Sequence, residues 1–328
     1  MLVLTRTDVR ELLDLDELID ALAGAMMDLS AGTASVPDRI GAFVAESDGL
    51  LAAMPGYSPS LRALVSKLVT VFPRNAGTPT PSHQALIAAF DPQDGSPLAL
   101  LDGTEITAAR TGACSALSAR LLAREDSSVL ALLGTGVQAR SHARALVRVR
   151  PIEEVRVAGR DPARTEALAG ELAGELGLPV RAAESYERAL AGADIACATT
   201  HSFEPVVRRS WLDPGVHVTS VGVNFEGREL DDETVAGALV CVESRRTVLA
   251  PAPAGSNDLL EPIRDGVIHA GHIHAELGEL LAGERPGRTS PEQITLYKSV
   301  GVAVQDAAAT ALVLSAAREQ GRGLEVEL

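Results

Sequence analysis

A short apolar run that ends in closely spaced glycines constrains this chain more than any other feature. Residues 129–133 are wholly apolar, and Gly134, Gly136 and Ala139 follow in G-x-G-x-x-A spacing before a helical pattern. The first glycine permits a tight turn, the second lets the backbone approach a pyrophosphate, and the alanine lets helix and strand pack closely. Free N–H groups at the helix start then face the phosphate charge. The sequence therefore predicts a dinucleotide-binding turn.

Strand and helix patterns alternate around this turn. Short apolar runs typical of buried strands occur at residues 129–133, 155–158, 195–198, 216–221 and 240–242. Helical patterns between them cover residues 137–149 and 162–176. Such alternation predicts an α/β fold with a doubly wound parallel sheet. We assign this Rossmann domain to residues 119–298.

The first hundred residues have a different pattern, with several strand-like segments close together. These segments lie at residues 39–45, 50–54, 64–72, 86–91 and 97–102. Gly, Pro and Ser separate them, and the turn at residues 92–95 is a hairpin signal. The pattern predicts an antiparallel sheet.

Three helical segments accompany this sheet. Residues 7–30 have helical spacing with Thr7 or Asp8 as the cap, and residues 107–123 form an Ala-rich helix. A last helix at residues 299–320 is not followed by a predicted strand, so we expect it to pack back on the first domain. The sequence therefore predicts a smaller α/β domain made of residues 1–118 plus 299–328.

The residues after the second Rossmann strand bear on the choice of cofactor. An acid about 20 residues past the fingerprint accepts the ribose 2′-OH of NAD, whereas an arginine accepts the 2′-phosphate of NADP. Arg160 occupies that position, and Arg164 lies one turn later. Asp161 is interpreted as the N-cap of the helix that begins at Pro162. NADP(H) is therefore the favoured cofactor and NAD(H) the alternative.

Charge and composition narrow the classes of function. The 29 Lys and Arg against 44 Asp and Glu give a net charge of −15, which disfavours nucleic acid as a partner. Neither a run of about 18 apolar residues nor a signal peptide is found, so no membrane partner is expected. Cys114, Cys197 and Cys241 lack CxxC or metal spacing, which fits a reducing, cytoplasmic compartment. Three histidines between residues 269 and 274 lack supporting ligands, so no metal is predicted.

Three cations lie in or beside apolar stretches of the smaller domain. Lys67 interrupts a strand-like run, Arg110 lies early in the Ala-rich helix, and Arg39 begins another strand-like segment. A buried cation needs a partner, and arginine is suited to gripping a carboxylate with two hydrogen bonds. From the residues alone, these cations fit either an anionic-substrate site or ordinary salt bridges and snorkelling side chains.

Seven segments carry a family resemblance. They are MPGY (54–57), SKLVT (66–70), ITAARTGA (106–113), LGTGVQA (133–139), VGVNFEGREL (221–230), AELGELL (275–281) and KSVGVAVQD (298–306). In order and spacing the chain resembles the ornithine cyclodeaminase/mu-crystallin family over nearly its whole length. The resemblance implies a homodimer whose N-terminal α/β domain carries the substrate site and the dimer contact, with a separate Rossmann domain.

The resemblance also implies roles for individual residues. Arg39, Lys67 and Arg110 are expected to hold a substrate carboxylate, with Met54 as a further substrate contact. Lys67 and Arg110, together with Asn224, are the expected catalytic residues. The residues expected at the cofactor are Thr111, Gly134, Gly136, Val137, Gln138, Arg160, Arg164, Thr199, Val221, Lys298, Ser299 and Gly301.

Two positions depart from the family members that cyclise ornithine. Those members have an acid two residues before the MP dipeptide, where Ala52 stands here, and a catalytic aspartate where Asn224 stands. An amide does not exchange a proton near neutral pH as a carboxylate does. The chain therefore looks more like the ketimine reductase, or mu-crystallin-like, branch, and Asn224 is expected to orient substrate or a water.

These observations predict an NAD(P)H-dependent oxidoreductase that reduces cyclic ketimines derived from amino acids. Pyrroline-2-carboxylate or piperideine-2-carboxylate would give proline or pipecolate, with the imine proton coming from solvent or from Lys67. Three alternatives stay open. They are an ornithine or lysine cyclodeaminase that recycles bound NAD, an alanine-dehydrogenase-like or opine-type dehydrogenase, and a mu-crystallin-like NADPH- and ligand-binding protein.

Overall fold

The chain divides into two compact units in a computed structural model that describes residues 1–75, 77–224, 226–251 and 254–327. The N-terminal unit comprises Met1–Arg110 and Val302–Leu328, and the central unit comprises Thr111–Gly301. Each unit is described by itself below.

Fifteen strands and eleven α-helices are found in the described residues. The strands are β1 (Leu2–Leu4), β2 (Ile40–Val44), β3 (Gly49–Ser58), β4 (Ala63–Val71), β5 (His83–Phe90), β6 (Pro97–Asp102), β7 (Val129–Leu133), β8 (Glu154–Ala158), β9 (Val180–Ala182), β10 (Ile195–Ala198), β11 (His217–Ser220), β12 (Leu239–Val242), β13 (Ile273–Glu276), β14 (Thr295–Lys298) and β15 (Leu324–Glu325). The helices are α1 (Arg6–Leu12), α2 (Leu15–Ser30), α3 (Gly103–Leu122), α4 (Val137–Leu146), α5 (Pro162–Leu176), α6 (Tyr186–Leu190), α7 (Asp232–Gly237), α8 (Arg245–Val248), α9 (Asn257–Arg264), α10 (Leu277–Leu281) and α11 (Ala303–Gln320).

The N-terminal unit is built on a seven-stranded sheet in the order β15-β1-β6-β5-β4-β3-β2. Strands β2 to β6 pair antiparallel with their neighbours, as the turn signals predicted, whereas β1 adds to β6 in parallel. Helix α11 packs on α2 and on strands β3 and β4. The expected return of the last helix to this unit is therefore observed, but a short strand, β15, follows it and pairs with β1.

The single helix expected at residues 7–30 is wrong, because two helices occupy that stretch. Thr5, not Thr7 or Asp8, caps α1. The Asp14 side chain accepts hydrogen bonds from the backbone N–H groups of Asp16 and Glu17 and so begins α2. A capping side chain inside an apolar periodicity breaks the helix without disturbing the period, which is why the pattern alone conceals it.

The central unit contains an eight-stranded, wholly parallel sheet in the order β13-β12-β14-β11-β10-β7-β8-β9. The chain order reverses between β7 and β10, so the crevice at their carboxyl ends is the topological switch point where such sheets bind ligands. Strands β10 and β11 are buried along their whole length. The predicted doubly wound Rossmann sheet is thus confirmed.

The carboxyl end of β14 corrects the expected bounds of the last helix. Residues 299–302 form a loop, and α11 begins only at Ala303. Gly301 has a φ of 77°, a left-handed conformation that ends any continuous helix at this point. Within the described ranges, none of the helices has both the length and the apolar character needed to cross a membrane.

Candidate active site

The turn between β7 and α4 has the form that its glycines predict. Gly134 has a φ of 121°, and a Cβ atom there would lie 2.7 Å from Thr199 Oγ1 and 2.9 Å from Thr199 O. Gly136 is the N-cap of α4, makes no side-chain capping bond, and has open space where a Cβ would stand. A helix start that lacks a capping side chain and faces open space fits a dinucleotide pyrophosphate.

Side chains around this turn support the same crevice. The Thr199 hydroxyl donates to Leu133 O over 3.0 Å, which ties the ends of β10 and β7 together at the switch point. Val137 at the start of α4 is 67% exposed, an unusual position for a valine. Gln138 Oε1 is buried and makes no hydrogen bond within the described part of the chain. The expected cofactor residues of this segment therefore lie together at the start of α4.

Two arginines and one acid follow the end of β8. Arg160 and Arg164 are exposed. Asp161 caps α5, because its Oδ1 accepts from the backbone N–H groups of Ala163 (3.0 Å) and Arg164 (3.2 Å). The interpretation of Asp161 as an N-cap is confirmed, and its carboxylate is committed to the helix.

Asn224 is held within the loop that follows β11. Its Nδ2 donates to Ser202 O over 2.9 Å, and its Oδ1 accepts from the backbone N–H of Glu226 over 3.0 Å. One end of the amide therefore bonds to the loop that follows β10 and the other to its own loop. Val221, which begins this loop, is half-buried and donates its backbone N–H to Ala198 O. In this arrangement Asn224 joins the loops that follow β10 and β11.

A buried charged cluster lies beneath that loop. Lys298 is fully buried, and its Nζ lies 2.7 Å from Asp258 Oδ2, 3.0 Å from Ser220 Oγ and 2.7 Å from Gly222 O. Glu229 accepts from Ser220 Oγ (2.6 Å) and from the backbone N–H of Gly222 (2.9 Å). The Lys298 ammonium thus holds the loop after β11, a different use from the cofactor contact expected from the resemblance.

One member of this cluster, Asp258, was not among the residues that the sequence singled out. Asp258 Oδ1 accepts from the backbone N–H groups of Glu229 and Leu230, and Glu229 Oε1 accepts from the Thr200 hydroxyl over 2.7 Å. In the sequence, Glu229 and Asp258 are simply acids near apolar runs, and such a pattern is equally typical of helix caps. Their role depends on chain segments that meet only in the folded sheet.

The loop between β14 and α11 is held by another buried acid, Glu243. Its Oε1 accepts from the backbone N–H groups of Val300 (2.7 Å) and Gly301 (2.6 Å) and from Ser299 Oγ (3.2 Å). Burial raises the pKa of the Glu243 carboxyl, and these hydrogen bonds oppose the rise. Hydrogen bonds to Glu243 therefore fix the positions of Ser299 and Gly301, two of the residues expected at the cofactor.

In the N-terminal unit, two of the three predicted cations meet on one buried carboxylate. Lys67 Nζ lies 2.8 Å from Asp306 Oδ2, and Arg110 Nε lies 3.2 Å from Asp306 Oδ1. Arg110 Nη1 also donates to Gln305 Oε1 over 2.6 Å. Lys67 comes from β4, Arg110 from α3, and the carboxylate from the first turn of α11.

The electrostatics of this cation cluster favour an anion. Burial, with the positive charges of Arg110 and Arg39, lowers the pKa of Lys67 to about 8, and Asp306 opposes this shift. Arg39 is therefore close enough for its charge to be felt. Lys67 and Arg110 both contact the single Asp306 carboxylate, and this pairing leaves positive charge that favours an anion.

The neighbours of Lys67 in the sheet are apolar. Met54 on β3 pairs in register with Lys67, is 6% exposed, and Ala52 lies two residues along the same face. No carboxylate stands at the Ala52 position. Thr111, the residue after Arg110 in α3, is also buried. In this part of the N-terminal unit, buried apolar side chains therefore lie beside Lys67.

Two of the three histidines near residue 270 bind separate backbone carbonyl groups. His272 Nε2 lies 2.9 Å from Val235 O, and His274 Nε2 lies 2.8 Å from Pro286 O. Among the described residues, no group of three or more His, Cys, Asp or Glu side chains could hold a metal ion.

Comparison with known proteins identifies the family. The sequence matches the profile of the ornithine cyclodeaminase/mu-crystallin family over residues 1–321. The chain belongs to this family. The family assignment made from seven short segments is thus confirmed.

Individual members of the family are similar along the whole chain. A Mus musculus protein described as ketimine reductase mu-crystallin is 38% identical over 300 residues, 90% of each chain. Thermococcus litoralis Delta(1)-pyrroline-2-carboxylate reductase, solved with NADH and L-proline, is 40% identical with a TM-score of 0.95, covering 99% of this chain and 100% of that one. An archaeal alanine dehydrogenase dimer with bound NAD is 30% identical with a TM-score of 0.92, covering 100% and 99%. These likenesses confirm the predicted fold class.

Proposed function

We propose that this protein is an NAD(P)H-dependent reductase of cyclic ketimines derived from amino acids. The substrates are pyrroline-2-carboxylate or piperideine-2-carboxylate, and the products are proline or pipecolate. The observation that carries the proposal is the pairing of Lys67 and Arg110 on Asp306, which leaves positive charge for a substrate carboxylate. The relatives named as reductases of such imines support it.

The substrate carboxylate is assigned to Arg110, Lys67 and Arg39. A guanidinium is suited to binding both oxygens of a carboxylate, and the buried ammonium adds a second charge. Met54 and Ala52, which share the face of the sheet with Lys67, offer an apolar surface to the substrate ring. Holding the carboxylate and the ring in this way fixes the imine carbon for reaction.

The absence of a second acid separates imine reduction from ornithine cyclisation. Ala52 stands where an acid would bind a side-chain amine, and the Asn224 amide is tied to Ser202 O and to the backbone of Glu226. Proton exchange by a carboxylate is therefore not provided at either position. Asn224 is proposed to fix the loop that follows β11.

A nicotinamide cofactor is proposed to bind the central unit at its switch point. The backbone N–H groups after Gly134 and Gly136 would hold the pyrophosphate, with Val137, Gln138, Thr199 and Val221 around it. When bound, the cofactor supplies the hydride that the imine carbon accepts. Because the carboxylate of Asp161 is committed to capping α5, Arg160 and Arg164 are left to bind a 2′-phosphate, which favours NADP(H) over NAD(H).

Reduction of C=N also needs a proton at nitrogen. Lys67 has a pKa of about 8, so it is mostly protonated near pH 7 and yet releases a proton more readily than an ordinary lysine. We assign it the donation of the proton to the imine nitrogen. If solvent protonates the imine before it binds, Lys67 serves only as a charge for the carboxylate.

The exposed face of the N-terminal sheet is the proposed contact of a homodimer. The register places Ile40, Leu51, Leu68 and Leu86 on one face, opposite to the face covered by α2 and α11. Their exposed fractions range from 43% to 72%, far above what leucine and isoleucine usually show. The related archaeal alanine dehydrogenase is a dimer.

The decisive experiment follows oxidation of NADPH and NADH with a panel of substrates. The panel contains the five- and six-membered cyclic imine carboxylates, open-chain keto acids with ammonia or amines, and ornithine and lysine. We expect turnover with a cyclic imine and formation of the corresponding cyclic amino acid. Turnover only with a keto acid and ammonia, or ammonia release from ornithine without net cofactor oxidation, would refute the proposal. Tight NADPH binding with no turnover would indicate a binding protein.

A further inference from the structure

The carboxylate of Asp306 is shared by the two cations of the cluster in the N-terminal unit. The side chain is fully buried at the start of α11. Its two oxygens are divided between two cations, with Oδ2 2.8 Å from Lys67 Nζ and Oδ1 3.2 Å from Arg110 Nε. One carboxylate therefore sets the separation of both cations at once.

We propose that Asp306 is a positioning residue that fixes the spacing of Lys67 and Arg110 and keeps Lys67 protonated for the substrate. This proposal rests on the proposed function only in taking a carboxylate to be the ligand of the two cations. Asp306 itself has both oxygens on protein cations and acts through them.

The charges around Lys67 explain why a carboxylate is needed. Burial and the positive charges of Arg110 and Arg39 all favour the neutral amine, and Asp306 is the carboxylate that opposes them. Two cations near each other in a buried place repel, so without Asp306 they would separate or one would lose its proton. A neutral Lys67 would neither attract a carboxylate nor donate a proton.

The fold holds the start of α11 firmly against the sheet. A Cβ atom at Gly56 on β3 would lie 2.6 Å from Ala303 Cβ, so the strand and the helix approach as closely as glycine permits. The side-chain oxygen of Gln305, next to Asp306, accepts from Arg110 Nη1 and from the backbone N–H of Val302. A carboxylate in the first turn of a helix is also favoured by the helix dipole. These contacts give Asp306 a defined place.

The test compares Asp306→Asn and Asp306→Glu with Glu319→Gln, an exposed change on the same helix. For each folded variant, kcat/KM for the cyclic imine is measured against pH, and the affinities of cofactor and of L-proline are measured by calorimetry with cofactor present. Removing the negative charge lowers the Lys67 pKa below about 8. The alkaline limb of the pH profile, where kcat/KM falls with rising pH, should therefore move to lower pH by about one unit or more in Asp306→Asn.

We expect Asp306→Asn to weaken L-proline binding by about tenfold or more and to leave cofactor affinity within about twofold. Asp306→Glu keeps the charge, so its alkaline limb should stay near that of the unaltered protein while its KM rises. If Asp306→Asn fails to fold, Gly56→Ala, which displaces the start of α11, should weaken L-proline binding without weakening cofactor binding.

Three results would overturn the proposal. The first is that Asp306→Asn changes neither the alkaline limb of the pH profile nor the affinity for L-proline. The second is that Asp306→Glu shifts the limb as much as Asp306→Asn does, and the third is that Gly56→Ala leaves L-proline binding unchanged. Failure of the proposed function looks different. The unaltered protein would then reduce no cyclic imine, while the effect of Asp306→Asn would still be measured on the carboxylate ligand that the protein does bind.

Discussion

Lys298 Nζ lies 2.7 Å from Asp258 Oδ2, and both side chains are buried in the central unit. The same ammonium donates to Ser220 Oγ and Gly222 O, so this ion pair anchors the loop that follows β11. Val221 and Asn224 lie in that loop. Lys298 therefore holds the backbone of a loop that carries Val221, one of the residues expected at the cofactor.

The first prediction concerns this ion pair. Lys298→Met leaves the Asp258 carboxylate buried without its cation, so we expect the protein to lose about 3–5 kcal/mol of its free energy of unfolding. Release of the loop after β11 should also weaken cofactor binding. Urea unfolding and fluorescence titration with NADPH measure the two effects. Lys298→Met with Asp258→Asn should recover part of the stability, and an unchanged cofactor affinity in Lys298→Met would contradict the assigned role.

Arg110 should be essential for turnover and nearly irrelevant to cofactor binding. Arg110→Ala removes a guanidinium that we propose binds the substrate carboxylate, so kcat/KM should fall by about 100-fold or more. NADPH affinity should change little. Arg10→Ala, which breaks an exposed ion pair with Glu105 in the same unit, is the matched control. Near-normal turnover in Arg110→Ala would remove Arg110 from the site.

The pH dependence of the reaction follows from the pKa of Lys67. In the proposed role its protonated form is the active one, so kcat/KM should be full below the pKa of about 8 and should fall as the pH rises through that value. Lys67→Arg places a permanent charge there and removes the proton donor. If Lys67 supplies the proton, this variant loses most of its kcat; if solvent does, the variant keeps its kcat with a limb set by the pKa of the imine.

Cofactor preference should depend on Arg160. Arg160→Ala removes a cation that faces solvent after β8, so affinity for NADPH should fall by about tenfold while that for NADH changes much less. Arg181→Ala is a control, because Arg181 is an exposed arginine on the neighbouring strand β9. Equal losses for the two cofactors would show that Arg160 does not bind the 2′-phosphate.

The apolar sheet face should decide the oligomeric state. Leu68→Glu places a charge in the centre of the face that also carries Leu51 and Leu86, and burying an unpaired charge in a contact is strongly unfavourable. Light scattering should show a dimer for the unaltered protein and a monomer for this variant. Val267→Glu, an exposed apolar position in the central unit, should leave the dimer intact. A dimeric Leu68→Glu protein would place the contact elsewhere.

Local sequence patterns predicted many of the helices and strands and the turn between β7 and α4. Strands β7 and β10 and helix α5 lie where their apolar periodicities predicted. The boundary errors have local causes that periodicity does not register, since the Asp14 cap splits one helix and Gly301 delays the start of another. Strands of three or four residues carry little periodicity: β10 was predicted, whereas β9, β13 and β14 were not.

The sequence by itself was enough to identify the Rossmann turn, the family and the three candidate cations. Each of these depends on residue type at fixed spacing along the chain. Only the tertiary structure decided what the charges do. It placed Lys298 on Asp258 and brought Lys67 and Arg110 to opposite oxygens of Asp306. Asp306 lies 239 positions after Lys67 in the chain. Buried charges must find partners, and the choice of partner depends on which distant segments the sheets bring together.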